Sequence, residues 1–156
     1  MNGVLPRMAL VAGRPLPMLA LPVLLAAAGC AAPGPSPSLA CGPGETEARE
    51  LTAWFGLHSA ARGRELSEVE WQEFRDRALT PRFPQGFTVV AGRGAWRHAD
   101  GRIGQEATRI VTVLVPAPEA AAALARLRAA AADYAALHLQ EAVGIAHRPA
   151  CAGGLF

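Results

Sequence analysis

Residues 108–139 read TRIVTVLVPAPEAAAALARLRAAAADYAALHL, and two chain periods meet inside them. From Thr108 to Val115 the residues are mostly β-branched or aliphatic, which suits a pleated and buried strand. Past Pro116 and Pro118, eleven alanines fill positions Ala120 to Ala136, and Leu124, Leu127, Ala131 and Tyr134 fall on one helical stripe. The stretch predicts a strand followed by a helix running from Pro118 to about Leu139.

Toward the N-terminus, Asp100-Gly101 supplies a turn, and before it Phe87 to Val90 opens a strand that extends through Gly92 and Gly94, with room for a bulge, toward Trp96-Arg97. Further back, Ser67 can cap a helix and Glu70 closes a capping box, with Leu66 stapled onto Trp71. Trp71, Phe74 and Ala78 keep helical spacing until Thr80-Pro81 stops it. Leu51 to Leu57 reads as a first strand, and Ala142 to Arg148 as a last one before Pro149 and Cys151. The order β-α-β-β-α-β makes this an α+β protein of ferredoxin-like arrangement, with a four-stranded antiparallel sheet in the order 4-1-3-2 and two helices on one face.

That arrangement sets the start of the first strand beside the end of the last. Cys41 lies shortly before the one and Cys151 shortly after the other, so a Cys41–Cys151 disulfide is geometrically reasonable; two free thiols are the alternative. The third strand turns Ile110 and Leu114 to one face and Val111, Val113 and Val115 to the other. Both faces are therefore apolar while helices cover one, so the other is expected to take a second copy, as a homodimer, or a small ligand.

Within 156 residues there is room for one modest domain and a short extra segment. All 15 basic residues are arginine, and none form blocks. Residues 1–14 hold Arg7 and Arg14 and no acid, and a nearly uncharged apolar run from Leu16 to Ala28 ends in Gly29-Cys30. This is the layout of a bacterial secretory signal, too short for a span of about 20 apolar residues. Small residues before a cysteine suit a lipoprotein signal peptidase, so Cys30 is the expected lipid-bearing N-terminus. Ordinary cleavage near Ala28 is the alternative. Three segments follow: a leader over 1–29, a flexible Pro/Gly/Ser tether over 30–47, and a domain over 48–156. Loss of the leader leaves 13 basic against 13 acidic residues. A neutral domain has little pull on nucleic acid, and its membrane contact would be the lipid, on the periplasmic or outer side of the cell envelope.

Several motifs stand out along the domain: Trp71-x-x-Phe74, then Thr80-Pro81-Arg82-Phe83-Pro84-x-Gly86-Phe87-Thr88-Val89, then Gly94-x-Trp96-Arg97, Asp100-Gly101-Arg102-Ile103 and Glu106. With Phe55-Gly56-Leu57 before them and Pro149-Ala150-Cys151 after, they resemble the domain of unknown function 3574 family of small exported bacterial proteins. The pattern departs from that family at Ala53-Trp54. The resemblance implies a shared fold and an exported setting, and no activity.

Arg82, Trp96, Arg97 and Glu106, with His98, fall in or near the segments around the central hairpin and form the candidate ligand pocket, able to accept an anion or handle a proton. The competing reading has Arg82 pairing locally, the tryptophan in the core and Glu106 in solvent. His58, His98, His138 and His147 lack metal-binding spacing, no GxSxG is present, and Ala91-Gly-Arg-Gly94 is too short for a phosphate loop, so no metal or cofactor is expected. Two functions remain: a non-catalytic envelope lipoprotein serving interaction or small-ligand binding, and a cofactor-free enzyme like the dimeric ferredoxin-like monooxygenases. The second requires Arg82, Trp96 and Glu106 to converge in a sheet–helix cleft.

Overall fold

The computed structural model describes residues 39–154. The expected leader, Cys30 and the tether as far as residue 38 lie outside them. Strand β1 (Glu45–Gly56) leads into a two-residue hairpin, β2 (His58–Ser59) and β3 (Arg64–Glu65). Helix α1 (Glu68–Phe74), β4 (Thr88–Arg97), β5 (Ile103–Pro116), α2 (Ala120–His138) and β6 (Gly144–Gly153) follow. The four long strands form one antiparallel sheet, β4-β5-β1-β6, which is the ferredoxin-like order expected.

Two boundaries and one bulge differ from the sequence reading, each for a physical reason. β1 begins at Glu45 rather than Leu51, because Glu45 to Glu47 pair with Gly153 to Cys151. The Cys41–Cys151 disulfide, Cα to Cα 5.6 Å, holds the two chains together just there. Residues 45–47, assigned to the tether, are thus part of the sheet. β6 continues through Pro149, which sits on an edge strand where a missing N–H can face outward. Between β4 and β5 the register is unbroken from Thr88↔Thr112 to Arg97↔Ile103, so the glycines of β4 mark no bulge.

α1 starts as its sequence dictates. The Ser67 hydroxyl accepts from the Glu70 N–H at 3.3 Å, and the Glu70 carboxylate accepts from the Ser67 N–H at 2.8 Å. Arg64 grips both oxygens of Glu70, and chiefly for that reason the carboxyl is held well below the usual carboxylate range. The helix then widens into a π turn over Arg75–Leu79, where the Thr80 N–H reaches Arg75 O at 2.9 Å. Leu139 ends α2 in the left-handed conformation.

Both helices cover one face of the sheet. Leu51, Ala53 and Phe55 of β1 and Val111, Val113 and Val115 of β5 meet Trp71, Phe74, Leu127 and Tyr134 in a single buried cluster. Phe55 lies at its centre, with ring centroids 5.0–5.6 Å from Trp71, Phe74 and Tyr134, separations typical of edge-to-face aromatic packing. Among the described residues no helix is long and apolar enough to cross a membrane.

Candidate functional site

Among the described residues the other face of the sheet carries no helix, and its side chains come in cross-strand rows set by the register. Thr88, Thr112, Thr52 and Ala146 form one row across all four strands. The next holds Val90, Ile110, Trp54 and Gly144. Beyond these come Gly92, Thr108 and Gly56, then Gly94 opposite Glu106, then Trp96 opposite Gly104. The apolar face expected from Ile110 and Leu114 is therefore crossed by threonines, and by a Glu50–Arg148 ion pair beyond them.

Glycine supplies no side chain to fill the surface, and the glycine-rich rows leave a hollow between Trp54 and Trp96. It measures about 260 Å³ and is closed on a third side by Gln140, Glu141 and Ala142 from the turn between α2 and β6. At Gly94, nothing among the described residues lies within 4 Å of where a Cβ would stand, so that position is open floor. At Gly56 a Cβ would come within 2.7 Å of both carboxylate oxygens of Glu106. The absent side chain is what admits that carboxylate. Glu106 also accepts from the His58 N–H at 3.3 Å and is half-buried.

The far wall is held by Glu141. Its carboxylate accepts from the Trp96 indole N–H at 3.4 Å and lies 3.5 Å from His98 Nδ1. The His98 ring lies where a side chain on Gly104 would otherwise stand. From beneath, the Tyr134 hydroxyl donates to the Gly56 carbonyl at 2.7 Å, fixing the hollow's floor to α2. Burial first, then the nearby Glu106 charge, pushes the Tyr134 phenol well above its ordinary value, so it stays a donor. Among the described residues, no three His, Cys, Asp or Glu side chains are grouped as a metal site requires.

Of the residues singled out in sequence, Trp96, Glu106 and His98 line this hollow and Arg82 and Arg97 do not. Arg82 donates to Ala78 O at 2.9 Å and to Asp133 at 2.6 Å, bracing the segment after α1 against α2 on the opposite side of the sheet. Arg97 donates to Gly101 O at 3.1 Å within the β4–β5 turn. The expected grouping of Arg82 with Trp96 and Glu106 is not formed, and the hollow is on the open sheet face rather than in a sheet–helix cleft. Sequence reasoning missed Trp54, His58, Gly56, Gly94 and Glu141. The alternation of β1 could have found Trp54, since Leu51, Ala53 and Phe55 point inward and Trp54 must point away.

A family model described as "Protein of unknown function (DUF3574)" matches residues 50–153. No curated protein matches the chain. Among solved structures, a phage SAM lyase in complex with S-methyl-5′-thioadenosine is similar at 14% identity and a TM-score of 0.52, over 76% of this chain and 97% of that one. CutA from Synechococcus elongatus is similar at 14% identity and a TM-score of 0.44, over 70% of this chain and 82% of the other. At 14% identity the likeness to the SAM lyase is one of fold alone.

Proposed function

The chain belongs to the DUF3574 family of proteins of unknown function, and from that premise we propose that it is an exported lipoprotein whose folded domain binds a small ligand without transforming it. The observation that carries the reading is the hollow on the open sheet face, concave, walled by two indoles and furnished with a few polar groups. Of the two coverings expected for that face, a ligand suits a local dent better than a second copy does. The threonine row leaves no continuous apolar surface for a dimer to bury. Catalysis is the weaker reading, because Arg82 is committed to Asp133 on the far side.

Export is supported by the disulfide, since such bridges persist in oxidising compartments. Anchoring rests on the apolar leader ending at Cys30.

A backbone amide titration with a library of small polar and aromatic compounds tests the binding role. Shifts should gather on Gly94, Glu106 and the Trp96 indole, and should vanish in a Gly94→Leu variant that fills the hollow. A library that leaves these signals unmoved would defeat the reading.

A further inference from the structure

We propose that the ligand of the open-face hollow is a small organic cation, an alkylated ammonium group carried on a compact body. The inference rests on the binding role above and adds the chemical class. Two features of the lining decide it. The walls are indoles, Trp54 and Trp96, each about two-fifths exposed at 40% and 41%, and a tryptophan face attracts a cation more strongly than any other side-chain ring. The charges are carboxylates: Glu106 and Glu141 line the hollow together with His58 and His98, and among the described residues no arginine does.

That last point is informative in a chain so rich in arginine. Elsewhere among the described residues Glu50, Glu68, Glu70, Glu73, Asp76, Asp100 and Asp133 each pair with a guanidinium, and the acids without one, Glu45, Glu47, Glu65 and Glu119, are exposed, whereas Glu106 is half-buried. Among the described residues Glu106 has no such partner, and Glu141 has only His98. Arg102 lines an adjoining depression with His58, His98 and Glu106, and its guanidinium is held by Asp100 at 2.7 Å. A half-buried carboxylate lining the same hollow as two indoles is costly to cover with an apolar group and repels an anion. A cation satisfies the carboxylate and the rings together, and alkyl groups on its nitrogen suit the mixed apolar wall.

Choline and its uncharged isostere 3,3-dimethyl-1-butanol separate charge from shape. The three indole N–H signals, assigned through Trp54→Phe, Trp71→Phe and Trp96→Phe variants, report where each compound sits. Choline should shift Trp54 and Trp96, leave the buried Trp71 unmoved, and bind about tenfold tighter than the isostere. In Glu106→Gln that preference should shrink toward parity while binding of the isostere is unchanged, with thermal unfolding confirming the fold. Equal binding of the two compounds, or tighter binding of the alcohol, overturns the cation and leaves the binding module standing. Shifts from neither compound also overturn the cation, and the library titration then decides the broader role by itself.

Discussion

Tyr134 and Gly56 meet through the sheet: the phenol of the helix residue donates to the carbonyl of the strand residue at 2.7 Å, while on the opposite side Glu106 occupies the space a Cβ on Gly56 would need. One residue thereby joins the hydrophobic core to the hollow. Tyr134→Phe removes the donor and leaves a buried carbonyl without its partner, which costs about 1–3 kcal/mol. The denaturation midpoint should fall with the slope unchanged. A variant as stable as the parent would mean water replaces the phenol.

Gly56→Ala and Gly94→Leu should part company. A methyl at Gly56 collides with the Glu106 carboxylate, the movable end of a flexible side chain, so the carboxylate swings away and cation preference is lost at modest cost in stability. A leucine at Gly94 enters open space on an edge strand, and stability should stay within about 0.5 kcal/mol while binding disappears. Unfolding curves and the choline titration, run side by side, check both.

His138 sets a pH dependence. It is 4% exposed, packs against Phe74 and Tyr134, and among the described residues has no hydrogen-bond partner for either ring nitrogen. Burial above all, then Arg62, holds its pKa below the ordinary 6.5. The unfolded chain therefore takes up the proton first, and stability present above pH 6.5 is lost as pH falls through the lowered folded value. The paired carboxylates Glu68, Glu70, Asp76 and Asp100 contribute their own loss only at more acidic pH, below their ordinary values of 4.5 and 3.8. Urea midpoints between pH 7 and pH 5 should decline, and His138→Phe should flatten the decline; an unchanged slope in that variant would assign the effect elsewhere.

Removing the disulfide should loosen one end of the sheet. The bridge spans 110 residues, and closing so long a loop contributes up to about 4–5 kcal/mol in the chain-entropy picture. In a Cys41→Ser, Cys151→Ser double variant, amides of Glu45 to Glu47 should exchange faster than those of Leu51 to Phe55. Uniform acceleration would show the loss to be global.

The N-terminus is checked directly. If the export proposal holds, the protein recovered from its source cells should begin at Cys30 with a diacylglyceryl thioether by mass spectrometry. An unmodified start near Gly29 would mean ordinary cleavage, and intact residues 1–29 would end the export proposal.

The fold was legible because its signals are local and strong. The β-branched run of β5, the alanine-rich α2 and the Ser67–Glu70 box each state one element, and their order leaves one common arrangement. Boundaries were harder: the first residues of β1 look like a linker, and only pairing with β6 and the bridge to Cys151 makes them a strand. The site was half legible. Trp96 and Glu106 are legible as residues around the central hairpin, but Arg82 is close to them only along the chain, and its partner Asp133 is fifty-one residues away. What shapes the hollow is the alignment of glycines on different strands, a property of register that no single segment announces.

The Cys41–Cys151 bond also decides how the domain would bear a pull. Tension applied from the N-terminal side of Cys41 reaches a covalent junction before it reaches any hydrogen bond of β1, and from there it is shared between the two strands that the junction joins. A pull from that side therefore meets the covalent bond before it can peel β1 from its Cys41 end, far along the strand from Trp54 and Gly56.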